Sequence, residues 1–295
     1  MKAWLLLAII SIGSLAIIPV LADRGAIPID DVVVYQEGQL VAIAWKDGEE
    51  ILILSSSPRV PRVDVVPFKP EDVGTNMAER IQLARALEVI PLPSMPEVEE
   101  GNVEVFSKLS ETVRVSAEKA LDFAGGLLSA TRGVSIAYHE VIGPHDVTVV
   151  KVEDSDELIS WMIDHIKNQQ LPIPPKNAID VLEENVAGYV EEGCKYFVFD
   201  HLMLGSSMKT VEPLVYRFRS NTIYYPLRIS SIMESYSSIT LFLVTEDRIR
   251  PESIDGTGFD ISFEGMVDLL EVEEADERLA ELFKGQDRIW LTTLN

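Results

Sequence analysis

The dipeptide Asp47-Gly48, set between Leu40–Trp45 and Glu50–Leu54, commits the start of this chain to a β-hairpin. Both flanking runs are rich in β-branched and aromatic residues, and glycine tolerates the positive φ that a tight hairpin turn requires. Val32–Tyr35 reads as a further strand. Pro58, Pro61, Pro67 and Pro70 then argue for loops or sheet edges. Ala86–Ile90 reads as a strand, with a helix over Ala78–Leu87 as the alternative, and it runs into the stiff, extended Pro91-Leu92-Pro93-Ser94-Met95-Pro96. Asn102 caps a helix to about Thr112 with Val105, Phe106 and Leu109 on one face. Ser116–Ala130 is a second helical stretch, weakened by Gly125-Gly126, and a boundary falls near Gly133.

Beyond that boundary, Val134–Val141 and Val147–Val152 read as strands around a Gly143-Pro144 turn. Asp154 and Asp156 offer caps to an amphipathic helix, Asp156–Asn168, with Leu158, Trp161, Met162 and Ile166 on its apolar face. Asn177–Glu192 is a helix closed by Gly193. Four strands follow: Tyr196–Leu204, Val211–Phe218, Thr222–Ile229 and Ile239–Thr245. A charged helix, Glu271–Lys284, ends at Gly285, and Arg288–Leu294 closes the chain as a strand. Strands, then a pair of helices, then strands again predict an α+β, β-rich fold with mostly antiparallel sheets and a C-terminal helix. The expected divisions are 1–22, 23–133 and 134–295, the last two being separate regions or one domain.

Residues 1–22 carry the features of a signal peptide. Lys2 precedes an apolar run from Ala3 to Ile18, Pro19 breaks it, and Val20-Leu21-Ala22 presents small residues for cleavage between Ala22 and Asp23. The run lies near the lower limit for spanning a bilayer, so an uncleaved anchor is the alternative. The expected location is extracytoplasmic, secreted or at the cell surface. The acidic residues outnumber the basic ones by 48 to 25, a net charge of -23, which repels phosphate backbones and argues against nucleic-acid partners. Membrane contact is expected only through an uncleaved N-terminal segment. The single cysteine, Cys194, allows no intramolecular disulfide and reads as a small apolar packing residue.

Several phrases occur together in order: Tyr35-Gln36-Glu37-Gly38-Gln39 with Ala42-Ile43-Ala44-Trp45; Ile90-Pro91-Leu92-Pro93-Ser94 with Phe106-Ser107-Lys108-Leu109; His139-Glu140-Val141-Ile142-Gly143-Pro144-His145-Asp146; and Tyr196-Phe197-Val198-Phe199-Asp200 with Tyr224-Tyr225-Pro226-Leu227-Arg228. On these, the chain from about Val32 to Thr245 resembles the exported prokaryotic family "domain of unknown function 2330", or a close archaeal-type relative. The resemblance implies export and a shared fold, and it implies no reaction. Many proteins of that family are cysteine-rich after the signal, whereas this chain has Asp23-Arg24-Gly25, so no cysteine-based role carries over.

His139, Glu140, His145 and Asp146 are the sharpest chemical constellation, because two acid-flanked histidines within a short span are the residue types of a zinc site. Strand geometry opposes it. Adjacent residues point to opposite faces, so a two-residue turn puts His139 with Asp146 and His145 with Glu140, and only a register slip reverses this. A structural, hydrogen-bonding role is the first reading and metal ligation the second. His165 reads as partly buried, and His201 as a satisfied pair with Asp200. Ser-x-x-Lys at Ser116–Lys119 and Ser206–Lys209 lacks the companion motifs of penicillin-binding enzymes. Glu153–Glu157 and Asp255–Asp260 read as a cap and a turn, not calcium loops. Tyr216, Tyr224, Tyr225, Phe197, Phe199 and Phe218 read as packing, and Arg217, Arg219 and Arg228 as paired with neighbouring acids. No cofactor is expected. The preferred function is a non-catalytic binding or interaction protein of the cell envelope, its partner an unknown protein or envelope component, with exposed strand edges and proline-rich loops as contact surfaces. The alternatives are a metal-assisted hydrolase centred on His139, Glu140, His145 and Asp146, and a membrane-tethered structural protein.

Overall fold

The hairpin turn forms at Asp47 and Gly48 with φ of 52° and 82°, the two positive values that match a tight turn to the twist of its strands. A computed structural model describes residues 25–28, 35–59, 84–124, 145–168, 173–174, 176–204, 212–232 and 238–295. The expected signal and its Ala22/Asp23 cut, Val32–Val34, Pro61, Pro67, Pro70, Gly125-Gly126, the Gly133 boundary, the Val134–Val141 strand, the Gly143-Pro144 turn and Ser206–Lys209 lie outside these residues.

The strands are β1 (Gly25–Pro28), β2 (Tyr35–Lys46), β3 (Glu49–Arg59), β4 (Ala84–Leu92), β5 (Glu97–Glu100), β6 (His145–Lys151), β7 (Tyr196–Leu204), β8 (Leu214–Arg219), β9 (Ser238–Thr245), β10 (Ile261–Asp268) and β11 (Arg288–Leu294). The helices are α1 (Glu104–Ala124), α2 (Ser155–Asn168), α3 (Lys176–Glu191), α4 (Leu269–Ala275) and α5 (Glu277–Glu281). The strands make a four-stranded sheet, β1-β4-β7-β6, and a seven-stranded sheet, β10-β11-β9-β2-β3-β8-β5. All pairings are antiparallel except that of β2 with β9. The fold is therefore α+β, and both sheets draw strands from the N-terminal and C-terminal halves of the chain.

Period-two alternation sorts these strands into layers. Ala42, Ala44, Ile51 and Ile53 face α1, α4 and α5, packing against Val105, Phe106, Leu109 and Phe283. Their neighbours Val41, Ile43, Leu52 and Leu54 face the other way, onto Ile90, Leu92 and Val198 of the small sheet. The far side of the small sheet, with Leu87, Val89, Phe197 and Phe199, is covered by α2 and α3 through Leu158, Met162, Ile166, Leu182 and Val186. The order is helices, large sheet, small sheet, helices. Each fully buried aliphatic or aromatic side chain contributes about 1.5–3 kcal/mol.

Ala86–Ile90 lies in strand β4, as read, and the helical alternative does not form at Ala86 and Leu87. Several other elements differ from the sequence reading. Pro58 falls inside β3, beyond Leu54, the last β3 residue paired with β8, where a missing N–H breaks no bond on that side. The Asn102-capped helix continues to Ala124, with Asn102 Oδ1 accepting from Glu104 N at 2.8 Å. The Glu271–Lys284 helix is two helices, because Asp276 is extended (φ −159°, ψ 121°) and its carboxylate caps Arg278 N at 3.0 Å. Thr222–Ile229 is not a strand. Its polar groups bond elsewhere, Tyr224 N donating to Glu50 Oε2 and Leu227 N to Tyr225 O, and a 3-10 turn follows over Leu227–Ile232.

On each outer strand of the large sheet, one outward carbonyl is occupied by an arginine. Gly101 N donates to Pro213 O, so by alternation the Glu100 carbonyl points outward, and there it accepts from Arg278 Nη1 at 3.0 Å. At the other edge Leu269 N donates to Asp287 O, which turns the Met266 carbonyl outward, and Arg288 Nη2 donates to it at 2.5 Å. Charged side chains capping an edge discourage pairing with another chain.

Candidate functional site

On the inter-sheet face of β4 and β7, Glu88 and Asp200 are register partners, and both are 0% exposed. A carboxylate at this phase of an apolar strand needs a hydrogen-bond partner or a counter-charge. For Asp200 the partner is His145 of β6. In that strand His145, Val147 and Val149 share the inter-sheet face, and Val147 stands opposite Asp200. His145 Nδ1 lies 2.6 Å from Asp200 Oδ2, and Nε2 lies 2.8 Å from the carbonyl oxygen of Glu212. A carbonyl only accepts, so Nε2 carries a proton; the Nδ1 contact holds a second proton between imidazole and carboxylate. Glu212 Oε2 in turn accepts from Val103 N at 2.8 Å, just before α1. The histidine is thus a strut from the small sheet to the lead-in of β8, and through Glu212 to α1.

Of the four residues read as possible metal ligands, His139 and Glu140 lie outside the described residues. Asp146 follows His145 in β6 with its backbone in register with His201, and its side chain lies outside the described ones. Both ring nitrogens of His145 are engaged by protein oxygens, and its side chain is 8% exposed. Among the described residues, no three His, Cys, Asp or Glu side chains gather as ligands for a metal ion. Asp200 bonds across the sheet to His145, while the side chain of His201, read from adjacency as its pair, lies outside the described ones. The signal was there in outline: an acid inside Tyr196-Phe197-Val198-Phe199-Asp200. Nothing local identifies a partner fifty-five positions away.

The remaining candidates fall into packing or pairing. His165 stacks on Trp161 with ring centroids 4.7 Å apart. Tyr216, Phe197, Phe199 and Phe218 are core residues. Arg217 bridges Glu49 at 2.6 Å and Glu281 at 2.5 Å, and Arg228 pairs with Glu192 while lying over the Tyr189 ring. Ser116 lies inside α1 rather than at a helix start. Asp154 Oδ1 caps Asp156 N at 2.9 Å, and Gly256 and Gly258 turn the Asp255–Asp260 loop at φ of 78° and 86°. A shallow surface depression of about 440 Å³ near α4 and α5 is lined by Glu99, Glu273, Glu274, Asp276, Glu277 and Arg278, the last two-pronged on Asp276.

A second polar group lies at the turn end of the inter-sheet layer. Glu50, 0% exposed, accepts from Tyr224 N at 2.8 Å, and burial pushes its carboxyl well above the usual carboxylate range. The Tyr224 hydroxyl donates to Pro91 O at 2.9 Å and lies 3.5 Å from Cys194 Sγ. Burial raises both the phenol and the thiol. Cys194 is 4% exposed, in keeping with a packing role.

The family model of an uncharacterized protein conserved in bacteria, domain of unknown function 2330, matches residues 76–295. No curated protein matches the chain. Among solved structures similar in shape is that of baculovirus P35, with a TM-score of 0.44 and 11% identity over 80% of this chain and 75% of that chain. Another is a mutated baculovirus P35 after caspase cleavage, with a TM-score of 0.40 and 11% identity over 78% of this chain and 76% of that one.

Proposed function

This chain belongs to the bacterial family of domain of unknown function 2330, and from that premise we propose that it acts outside the cytoplasm as a non-catalytic binding or interaction protein of the cell envelope. The observation that carries the reading is the state of His145. Of the two histidines in the sequence's sharpest constellation, the described one, His145, has a side chain only 8% exposed, with one ring nitrogen on Asp200 and the other on the Glu212 carbonyl. A general base or metal ligand needs a nitrogen lone pair directed at substrate or metal, and this ring spends both positions on its own fold. The Arg217 and Arg228 guanidinium groups are likewise paired within the chain. Among the described residues the surface is the part that favours a binding role, and the apolar N-terminal run supports placing that surface outside the cytoplasm.

The test is thermal melting of the purified protein, made without a histidine tag, with and without a strong chelator, alongside metal analysis. Equal melting temperatures and no stoichiometric metal are expected. Stoichiometric zinc that disappears in His139→Ala or His145→Ala would replace this reading with the metal-assisted hydrolase.

A further inference from the structure

Residues 220–232 leave β8 and cross the edge of the inter-sheet layer as a strap. Its base is pinned at the hairpin: Ser220 N donates to Gly48 O at 3.1 Å, and Trp45 Nε1 donates to Ser220 O at 3.1 Å. Further along, it touches both sheets and a helix. Tyr224 N holds Glu50 of β3, the Tyr224 hydroxyl holds Pro91 of β4, Tyr225 Oη bonds Gln39 of β2, and Ile229 N donates to the Tyr189 hydroxyl of α3 at 3.0 Å.

We propose that the Glu50 carboxyl is the latch of this strap, and that losing its proton to solvent lets the strap open. Glu50 sits between Trp45 and Phe218, its register partners on β2 and β8, with Tyr224 over it. Its Oε2 accepts from Tyr224 N, while Oε1 is buried with no hydrogen-bond partner among the described residues. The charged neighbours Glu49, Lys46, Arg217 and Arg219 lie on the opposite face of the sheet by alternation, where Arg217 binds Glu49. The titratable groups on the near side are Tyr224 and, behind it, Cys194 and Tyr189, with Arg228 over the Tyr189 ring. Glu88, Asp200 and His145 face the same layer from the small sheet. A neutral acid fits this pocket, whereas a carboxylate with an unpartnered oxygen does not. Opening the strap hydrates the carboxyl and returns its proton affinity toward the ordinary value of 4.5. The open population then grows about tenfold per pH unit above that value, until the closed-state carboxyl itself ionises.

Amide hydrogen exchange of the strap tests this, comparing the parent with Glu50→Gln, whose side-chain carbonyl still accepts from Tyr224 N. Intrinsic exchange rises with pH equally in both and cancels in their ratio. Protection over 221–226 should fall in the parent relative to Glu50→Gln by up to about tenfold per pH unit. Labelling of the sole cysteine, Cys194, at each pH should show the same divergence. A parent-to-variant ratio that stays constant with pH overturns the proposal. Should Glu50→Gln not fold, Tyr224→Phe replaces it. Losing the bond to Pro91 should bring a given opening about one pH unit lower, and an unmoved profile overturns the proposal equally.

Discussion

Replacing His145 by leucine removes both ends of the inter-sheet strut while roughly keeping its volume. The ring bonds Asp200 at 2.6 Å and Glu212 O at 2.8 Å, and Asp200 is 0% exposed, so the variant leaves a buried carboxylate without the imidazole. Breaking a buried charged pair from one side costs about 3–5 kcal/mol, because the abandoned charge still bears its desolvation. For a domain of this size that lowers the melting temperature by about 6–20 °C, at about 2–4 °C per kcal/mol. Removing both partners is a smaller insult than removing either alone would suggest. His145→Leu with Asp200→Leu should cost less than the sum of the single variants, by about 2 kcal/mol or more. Urea denaturation followed by tryptophan fluorescence and far-ultraviolet circular dichroism gives all four corners of the cycle. The reasoning fails if His145→Leu costs less than about 1 kcal/mol, or if the two substitutions simply add.

Two further outcomes follow from packing and from burial. Phe106→Ala, at a 0% exposed position on the face of α1 that meets the large sheet, should cost about 3–5 kcal/mol in the same denaturation assay. The Tyr189 phenol is pushed up to about 12 by burial, so the folded protein keeps a proton that the unfolded chain sheds near 10; stability present below pH 10 should decline from there to about 12, and phenolate absorbance should show Tyr189 titrating late, together with the buried Tyr224.

Much of the architecture is legible in residue order. β7 and β11 begin and end where their β-branched and aromatic runs do, and the apolar faces of α1 and α2 are the ones read from helical spacing. The misses have local causes. β5 is Glu97-Val98-Glu99-Glu100, too acidic to look like a strand, and is made one by pairing with β8. β10 carries Glu264 and Gly265 mid-strand, with the Phe263 ring lying over the glycine and filling the space its missing side chain leaves. Thr222–Ile229 has the tyrosines and isoleucines of a strand, yet Pro226 lacks an N–H and Tyr224 N is claimed by Glu50, 174 positions away. The same distance problem hid the His145 strut, since Asp200 and Glu212 become its partners only once β6 and β7 pair and the two sheets stack.

Where the polypeptide works is decided by its first residue. Cells producing the protein are fractionated, and the N-terminus of the product in each fraction is sequenced. The proposal of an envelope binding protein requires a chain beginning at Asp23, recovered outside the cytoplasm. A chain still beginning at Met1 in the cytosol would contradict it.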